Sequence, residues 1–586
     1  MADVNLKING LPVTVPAGTT ILDAANSVGI RIPTLCFLKD INAIGACRIC
    51  VVEVKGARSL VASCVYPVNE GMEVFTNTPA VIKSRRMTLE LILSTHDRKC
   101  LSCTRSQNCE LQALCKEYGV ENESVFDGAK PEYEIENTND YLVRDNNKCI
   151  LCRRCVAVCN HNQGVGVIGA NERGFITNIG CAFDMDLKDA PCIACGQCVV
   201  VCPTGALQEK DDTQKVWDAL ADPAKHVVIA PAPSIRATLG EEFGMPIGTN
   251  VEGKMVAAMH RLGFNSVVDV DVAADITIME EGTEFIHRLN GDGPLPLITS
   301  CSPGWVKYCE HYYPEFIPNL SSAKSPQGMY GALMKSYYAE KMGIDPKDIF
   351  VVSVMPCTAK KFERAREMNK VDGLDDIDVS ITTRELAKMI KKAGLRFEAL
   401  PDEEFDPIFG DATGAGHIFG ATGGVMEAAL RTVVEILEGK ELDKLEFCAV
   451  RGTDGIKEAA FNVAGKEVKV AGKEVKVAVV SGTANAAKVL EAVKSGEAKY
   501  DFIEIMACPG GCVNGGGQPI QDAYTRAHVD LKALRAKALY DLDSAEGVRK
   551  SHESPLVKKI YAEYLGEPGS HKAHHLLHTT YVARSK

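Results

Sequence analysis

The sequence predicts a multidomain protein of mixed α/β and α+β class, and three observations lead to this prediction. The chain has 586 residues, 46% of them hydrophobic, which is enough material to fill several separate cores. Most of its 23 cysteines lie in the first 202 residues, in tight groups. After residue 210, short apolar runs alternate with helical stretches, as expected for parallel sheets covered by helices. We therefore expect four units, at 1–79, 80–125, 126–210 and 211–586.

Composition and charge exclude several classes of protein. The net charge of −12 provides no basic stripe for phosphates, so we expect no nucleic-acid partner. The N-terminus lacks a basic region followed by an apolar one, and no run of about 18 apolar residues occurs, so we expect a soluble, cytoplasmic protein that does not enter a membrane. In a large chain of this kind, closely spaced cysteines indicate metal sites rather than a disulfide framework.

The first unit is predicted to be a β-grasp, ferredoxin-like domain with a 2Fe2S cluster. Two short strands flank an Asn9-Gly10 turn, and Thr20 is placed to open a helix. A long loop, a C-x2-C pair and a distant fourth cysteine suit four thiolates around such a cluster. Zinc-bound or simply buried cysteines are the alternative. The predicted ligands are Cys36, Cys47, Cys50 and Cys64.

The second unit carries a histidine among its cysteines. His96 ends an apolar helix, four residues before a C-x2-C pair. An imidazole can replace a thiolate at iron–sulfur centres, although an ordinary exposed histidine is the alternative. We predict a 4Fe4S cluster held by His96, Cys100, Cys103 and Cys109.

The third unit contains two C-x2-C-x2-C-x3-C runs, the pattern of bacterial ferredoxins with two 4Fe4S clusters. In that pattern, the fourth cysteine of each run completes the cluster of the other run. The predicted clusters lie in the first 202 residues without a substrate pocket among them, which indicates a route for single electrons. The two sets of predicted ligands are Cys149, Cys152, Cys155 and Cys202, and Cys192, Cys195, Cys198 and Cys159.

The fourth unit is predicted to be an α/β domain with reactive groups in the loops that follow its strands. Three such loops contain cysteine, at Cys301, at Cys357, and at Cys508 with Cys512. The last pair lies among five glycines, whose missing side chains suit backbone packed closely against a bulky metal cofactor. A flexible glycine-rich loop with a redox disulfide is the alternative.

At these loops the chain resembles the FeFe, or iron-only, hydrogenases of the clostridial multi-cluster type, including catalytic subunits of electron-bifurcating enzymes. The family signatures TSCCPxW, MPCxxKxxE and ExMACxxGCxxGGGxP correspond to residues 299–305, 355–363 and 504–519, the first with one difference. The resemblance implies a two-lobed catalytic domain around an H-cluster. This cofactor is a 4Fe4S cubane joined to a diiron unit with carbon monoxide, cyanide and azadithiolate ligands.

The resemblance also implies roles for individual residues. Cys357, Cys508 and Cys512 are expected to bind the cubane, with Cys512 as the bridge to the diiron unit. Lys360 is expected to hydrogen-bond a cyanide, as an ammonium donor does with an anionic acceptor. Further residues expected to line the pocket are Pro233, Ser234, Gln327, Met355 and Met506.

The one difference from the family lies at Ser302. In the family, the first cysteine of the TSCC pair relays protons and the second binds the cubane, and Cys301 and Ser302 occupy these two positions. Three interpretations are open: Ser302 binds iron as an alkoxide, Cys301 replaces it through a shifted loop, or the cubane has three thiolates and is labile. Iron in such clusters prefers soft thiolate, whereas neighbouring residues at a strand end point in different directions, which disfavours an exchange.

A row of polar residues suggests a proton route. Glu281, Glu284 and Arg288 share one face of a predicted helix, where a solvated salt bridge is the alternative. The family uses a matching Glu, Glu and Arg, and a serine matched here by Ser321, to carry protons to the relay cysteine. Cys301 is then expected to exchange protons with the bridging amine of the cofactor.

The function implied by the resemblance is the reversible reduction of protons to hydrogen. Electrons are expected to pass through one 2Fe2S and three 4Fe4S accessory clusters to ferredoxin or to flavin- and NAD-linked partner subunits, and maturation proteins are expected to supply the H-cluster. A hydrogen sensor or an inactive electron carrier is the alternative, because Ser302 occupies a ligand position. The large iron–sulfur subunit of complex I, which the N-terminal clusters also resemble, lacks the three signatures.

Three further expectations concern parts without assigned chemistry. The tandem repeat at 464–477 is predicted to be a surface hairpin, and the histidine-containing segment 570–586 a surface tail rather than a metal site. The unassigned cysteines are expected to be small, buried hydrophobic residues; they are Cys115, Cys181, Cys309 and Cys448.

Overall fold

The computed structural model describes residues 2–122, 124–442, 444–463 and 473–585. A five-stranded sheet with one packed helix forms its N-terminal unit. The elements are β1 (Asp3–Ile8), β2 (Leu11–Pro16), α1 (Ile21–Ser27), β3 (Val51–Val54), β4 (Val61–Ala62) and β5 (Glu73–Phe75). The strand order is β2-β1-β5-β3-β4. The predicted hairpin and helix are confirmed: Asn9 and Gly10 both have positive φ, at 49° and 86°, and Thr20 accepts a hydrogen bond from the first turn of α1.

Loops and short elements dominate the next part of the chain. The elements are α2 (Pro79–Thr95), α3 (Glu110–Glu117), β6 (Leu142–Arg144), α4 (Arg154–His161), β7 (Gly169–Asn171), β8 (Asn178–Gly180), α5 (Gln197–Val200) and β9 (Leu207–Glu209). β6 pairs with β9 and β7 with β8, both antiparallel. Each of the two C-x2-C-x2-C-x3-C runs therefore leads into a short helix, α4 or α5.

Two four-stranded sheets form the two lobes of the remaining chain. The strands are β10 (His226–Pro231), β11 (Ser266–Val267), β12 (Leu297–Ile298), β13 (Ile349–Met355), β14 (Lys370–Val371), β15 (Leu374–Asp375), β16 (Val379–Thr382), β17 (Ile456–Val463), β18 (Lys473–Ser481) and β19 (Phe502–Met506). One sheet has the order β11-β10-β13-β16 and is entirely parallel, and the other has the order β12-β19-β18-β17, in which only β17 is antiparallel. β14 and β15 form a separate small hairpin.

Helices cover both sheets. They are α6 (Thr213–Ala221), α7 (Glu252–Leu262), α8 (Val270–Leu289), α9 (Pro303–Tyr312), α10 (Pro326–Leu333), α11 (Ala339–Met342), α12 (Ala359–Glu363), α13 (Thr383–Lys392), α14 (Gly414–His417), α15 (Gly424–Glu438), α16 (Thr483–Ser495), α17 (Ala523–His528), α18 (Leu531–Ala545), α19 (Pro555–Ile560) and α20 (His571–Leu577). β10 and β13 are buried along nearly their whole length, as in sheets covered on both faces. Within the described residues, no helix has the length and apolar character needed to cross a membrane.

Three minor expectations have different outcomes. The repeat predicted to be a hairpin joins the antiparallel pair β17 and β18, but residues 464–472 lie outside the described residues. The predicted surface tail is wrong, because α20 packs against α10 and buries Ala573, Leu576 and Leu577. Of the four unassigned cysteines, Cys181 and Cys309 are buried, Cys115 is half-buried and Cys448 is exposed, so the expectation is wrong for Cys448.

Candidate functional site

A cavity lies between the two lobes, where three parallel strands end. β12 leads to Cys301 and β19 to Cys508 in one sheet, and β13 leads to Cys357 in the other. Loops after parallel strands are the usual place for a ligand in α/β domains. The cavity is also lined by Cys512, Ser302, Lys360, Pro233, Gln327, Met355 and Met506.

Three cysteine thiols converge in this cavity. Burial raises the pKa of Cys508 far above its usual value, and the neighbouring Cys357 and Cys512 raise it further. Burial likewise raises the pKa of Cys512 to about 12, with a contribution from Cys357. A group of thiols that is costly to ionise without a cation fits a site for an iron–sulfur cluster, because thiolates are the ligands that iron in such clusters prefers.

The glycines around Cys508 and Cys512 allow this convergence. A Cβ atom at Gly515 would lie 2.2 Å from Pro356 O, and one at Gly511 would lie 2.6 Å from Thr422 N. The glycines are therefore closely packed, as predicted, and they pack against the backbone of neighbouring loops. Gly511 and Gly515 also line the cavity, so the absence of side chains keeps space open beside the thiols.

Lys360 presents its ammonium group to the same cavity. Its Nζ donates hydrogen bonds to Cys301 O at 3.1 Å, to Ser325 Oγ at 2.7 Å and to Glu363 Oε2 at 2.9 Å. Glu363 also accepts from Gln327 Nε2 at 2.9 Å. The charge of Lys360 is therefore balanced by Glu363 behind it, and its position on the wall is fixed.

Cys301 and Ser302 face different neighbours. Ser302 Oγ accepts a hydrogen bond from Ala507 N at 3.1 Å, next to Cys508. Burial raises the pKa of Cys301, and among the neighbouring groups Glu281 raises it most. Cys301 therefore lies toward the carboxylates of α8, and Ser302 toward the loop after β19.

The predicted proton route forms a contiguous group of side chains. Glu281 is buried, and its Oε2 has no hydrogen-bond partner among the described residues. Burial, followed by repulsion from Glu284, raises the pKa of Glu281 to about 8. Ser321 lies between the two carboxylates and donates to Glu284 Oε2 at 3.1 Å. Arg288 pairs with Glu284 Oε1 and also donates to four backbone carbonyls, so it holds the outer end of the group.

Ser234 does not line the cavity together with Pro233. Its Oγ accepts a hydrogen bond from Gln518 Nε2 at 3.1 Å, and it packs against Gly420, which does line the cavity. Ser234 therefore supports the cavity wall from behind.

Two further cavities lie among the cysteines of the third unit. One is lined by the first three cysteines of the first run together with the last cysteine of the second, and the other by the converse set. The structure thus brings the thiols together across the two runs in the predicted combination. The sets are Cys149, Cys152, Cys155 and Cys202, and Cys159, Cys192, Cys195 and Cys198.

The four thiols of the N-terminal unit also converge. Cys50 Sγ lies 3.4 Å from Cys64 Sγ, and Cys36 and Cys47 form a second hydrogen-bonded pair. Sharing a proton with Cys36 lowers the pKa of Cys47 to about 6, and sharing one with Cys64 lowers that of Cys50 to about 7. Two thiols are thereby easily ionised, which suits metal binding.

His96 is buried immediately after α2, and its Nδ1 has no hydrogen-bond partner among the described residues. Burial lowers the pKa of His96 to about 4, so the ring is neutral and has a lone pair available, as a metal ligand requires. Lys148 acts electrostatically on both His96 and Cys103, which puts the histidine and the C-x2-C pair in one neighbourhood.

The predicted accessory sites are connected in a branched arrangement, in which two outer sites contact one inner site. The Asn42 side chain donates to Cys36 O at 2.7 Å and to Cys152 O at 3.1 Å, and Arg105, from the His96 segment, donates to Cys202 O at 3.0 Å. Both outer sites therefore adjoin the same inner site.

The inner end of the branched route meets the large cavity. Burial raises the pKa of Cys195, and among the neighbouring groups Cys508 raises it most. A Cβ atom at Gly516 would lie 2.2 Å from Cys195 O, and Thr358 Oγ1 donates to Ala194 O at 2.6 Å. The loop that contains Cys195 therefore lies directly against the loops that contain Cys357 and Cys508.

Sequence reasoning missed several supporting residues. Glu363 is the last residue of the signature at 355–363 and stands three positions after Lys360, but its contact with Lys360 was not predicted, and nothing in the sequence pointed to Ser325. Lys307 is buried beside Cys192, and burial lowers its pKa to about 8. Its Nζ lies 4.1 Å from the centre of the Phe362 ring, a contact between residues far apart in the sequence.

Comparison with known proteins matches five families along the chain. Residues 225–516 match the family described as iron only hydrogenase large subunit, C-terminal domain, and residues 529–584 match the iron hydrogenase small subunit. Residues 1–79 match a 2Fe-2S iron-sulfur cluster binding domain, 85–124 the iron-sulfur binding region of NADH-ubiquinone oxidoreductase-G, and 148–206 a 4Fe-4S dicluster domain.

Individual relatives cover the whole chain. The NADP-reducing hydrogenase subunit HndD of Solidesulfovibrio fructosivorans is 47% identical over 100% of both chains. Iron hydrogenase 1 of Clostridium pasteurianum is 45% identical over 98% of this chain and 99% of that protein. A solved structure of the FeFe hydrogenase HydA1 from Chlamydomonas reinhardtii is 42% identical and superposes with a TM-score of 0.57, covering 64% of this chain and 100% of that one. The chain belongs to the FeFe hydrogenases, iron–sulfur enzymes of hydrogen metabolism.

Proposed function

We propose that the chain reversibly reduces protons to molecular hydrogen at an H-cluster held in the cavity between the two lobes. The observation that carries the proposal is the meeting of two routes at this cavity. Cys195, of the innermost accessory site, adjoins Cys508 on one side, and Glu281 adjoins Cys301 on the other. An electron path and a proton path that end at one group of thiols are what hydrogen chemistry requires.

The residues present fit the cofactor. Cys357, Cys508 and Cys512 would bind the cubane, with Cys512 as the bridge to the diiron unit, and Lys360 would stabilise an anionic cyanide. When bound, the cofactor supplies the chemistry of proton reduction and hydrogen oxidation. The protein binds and orients it, and the apolar wall of Pro233, Met355 and Met506 excludes water.

Cys301 and the α8 carboxylates would hold and move protons. The pKa of Glu281, at about 8, lets it exist in either protonation state near neutral pH, which a relay group requires. The Cys301 thiol stays protonated because burial raises its pKa, so it can donate at its Sγ and then recover a proton from Glu281.

Ser302 would supply the fourth ligand of the cubane through its oxygen. Ser302 and Cys301 both line the cavity of the three thiols, but Cys301 lies on the side of Glu281, whereas Ser302 Oγ faces the loop that contains Cys508. The N–H of Ala507 that points at Ser302 Oγ favours an anionic oxygen at this position. As a ligand, Ser302 would bind through its deprotonated Oγ, with its hydroxyl proton released to solvent.

Variants at Ser302 test this assignment through the cubane itself. S302C should retain the cubane, with a changed electron paramagnetic resonance spectrum and a higher midpoint potential, since alkoxide favours ferric iron more than thiolate does. S302A should contain fewer iron atoms per chain. A cubane in S302A with the wild-type spectrum and potential would mean that Ser302 is not a ligand.

The accessory clusters would be one 2Fe2S and three 4Fe4S clusters, held by the cysteines and His96 described above. Electrons would be exchanged with ferredoxin or with flavin- and NAD-linked partner subunits. The relative HndD, named as a subunit of an NADP-reducing hydrogenase, supports the second kind of partner.

The test of the function is an infrared spectrum of the anaerobic chain after addition of the diiron unit. Carbon monoxide and cyanide bands that shift when hydrogen is admitted would support a working hydrogenase. Absence of these bands, with intact accessory clusters, would favour the second candidate, an electron carrier or sensor. The observation behind this second candidate is the serine at position 302.

A further inference from the structure

The C-terminal segment adds a second branch to the carboxylates of α8. His578 follows α20, and its side chain is only 7% exposed. Its Nδ1 lies 2.8 Å from Ser322 Oγ, and its Nε2 lies 3.0 Å from Glu280 Oε2. Ser322 Oγ in turn lies 3.1 Å from Glu284 Oε2. An unbroken set of hydrogen bonds therefore joins Glu280, His578, Ser322 and Glu284.

The hydrogen-bond pattern constrains the protonation of this branch. Glu280 is buried and also accepts from the Tyr561 hydroxyl and from Gly569 N, so it acts as an acceptor toward His578. The Ser322 hydroxyl has one proton, which it gives either to Glu284 or to His578 Nδ1. When Glu284 is ionised, all three contacts are made at once if His578 carries both ring protons, and the buried carboxylate of Glu280 balances that charge.

The other carboxylate oxygen of Glu284 faces a cation that cannot serve as a proton donor. Arg288 pairs with Glu284 Oε1, and a guanidinium does not release its proton in a protein. Histidine is the side chain whose charge ordinarily changes between about pH 5 and 8. On the solvent side, the ring of the exposed His574 stacks on that of His578, with centroids 4.5 Å apart.

We propose that His578 and Ser322 form a proton branch that feeds Glu284 from the C-terminal segment. This inference rests on the proposed function of the Glu284 to Cys301 route. In the inward step, the Nδ1 proton of His578 moves to Ser322 Oγ while the hydroxyl proton of Ser322 moves to Glu284 Oε2. His578 is left neutral, and it keeps its Nε2 proton, which donates to Glu280. It takes its next proton at Nδ1 from solvent beside His574. Hydrogen oxidation uses the same steps in reverse.

The branch joins the two family regions of the chain. Glu280, Glu284 and Ser322 lie in the region that matches the large subunit, whereas Tyr561 and His578 lie in the region that matches the small subunit. The charged and titratable groups that face His578 are Glu280 and Glu284 from α8, Tyr561 from the turn after α19, and His574 from α20. Arg288 stands behind Glu284.

The test compares H578Q with wild type and with H575Q. Glutamine can fill the site and hydrogen-bond but cannot carry the proton, whereas His575 is exposed on the same helix, with its Nε2 3.6 Å from a carboxylate oxygen of Asp372. We expect H578Q to evolve hydrogen about 3- to 10-fold more slowly at pH 6 and to approach the wild-type rate at pH 8, since a relay of this kind contributes by general acid–base transfer. H575Q should match wild type throughout.

Two additional measurements separate a proton role from a structural one. Added imidazole should restore the rate of H578A at pH 6, with unchanged infrared bands of the cofactor. A loss that is equal at all pH values and is not rescued, or a wild-type profile in H578Q, would overturn the branch. If wild type itself evolves no hydrogen, the proposed function fails, and the branch is then judged from the pH-dependent carboxyl infrared band that E284Q removes. That band should move in H578Q, and an unmoved band would refute the branch.

Discussion

The proposed electron side and the proposed proton side of this molecule are built on different principles. The proposed electron sites are groups of cysteines in short sequence runs, held by loops and short helices such as α4 and α5. Two of these groups line cavities, and a third contains a close thiol pair. The proton side is a set of single polar side chains on α8 and on segments up to 298 residues away. The difference teaches that metal sites are encoded by local spacing, whereas proton routes are encoded by how distant segments pack.

The largest effect is expected when the proposed proton route is blocked and the accessory clusters are left intact. E281Q keeps the size of the side chain but removes its exchangeable charge, so hydrogen evolution should fall by about 100-fold or more. Iron content and the spectra of all accessory clusters should stay as in wild type. The control is E340Q, a change of the same type at an exposed position of α11. A normal rate in E281Q would show that protons reach Cys301 by another path.

The electron side can be broken one cluster at a time. The combination of thiols around the two cavities predicts that C202A and C149A lose the same spectroscopic signal, and that C159A and C192A lose the other. Each of these four variants should lose about four iron atoms per chain and evolve hydrogen from a reduced dye about 10-fold more slowly. E281Q should lose no iron. C115A, outside these cavities, serves as the control. If C202A instead matched C192A in electron paramagnetic resonance, the assignment across the two runs would be incorrect.

The smallest expected effect is a pH dependence that reverses with the direction of the reaction. Burial raises the pKa of Glu281 to about 8, so its protonated form dominates below that pH and its carboxylate above it. Hydrogen evolution needs the proton donor and should fall several-fold as pH rises through about 8. Hydrogen oxidation needs the acceptor and should fall as pH drops through the same range. Steady-state rates in both directions test this, and a parallel change in both would argue against Glu281 as the titrating group.

The sequence was sufficient for most of the cysteine groups and for the α/β lobes. Spacing alone paired Cys159 and Cys202 with the opposite runs, and apolar runs indicated the strands that carry Cys301, Cys357 and Cys508. β16 gives a weaker signal, because its four residues are flanked by polar sequence. The same holds for β17, an edge strand that contains charged residues and pairs antiparallel.

Other features depend on contacts that spacing does not reveal. The histidines of residues 570–586 suggest a surface tail, yet Ala573, Leu576 and Leu577 are buried on one face of α20. The branching of the accessory sites depends on Asn42, which has no motif of its own. Ser302, in contrast, can be recognised from the sequence alone, because it is the one residue that differs from the family signature around it.

The contact between Gly516 and the loop containing Cys195 has a consequence for how partners reach the protein. Because backbone meets backbone there, and Thr358 and Gln197 tie the same loops together, the third unit cannot swing away from the lobes as a tethered carrier. The spacing between the innermost accessory site and the thiol cavity is set once, when the chain folds. A partner that exchanges electrons with the proposed route would therefore have to bind near the outer accessory sites, because the inner site does not move toward it.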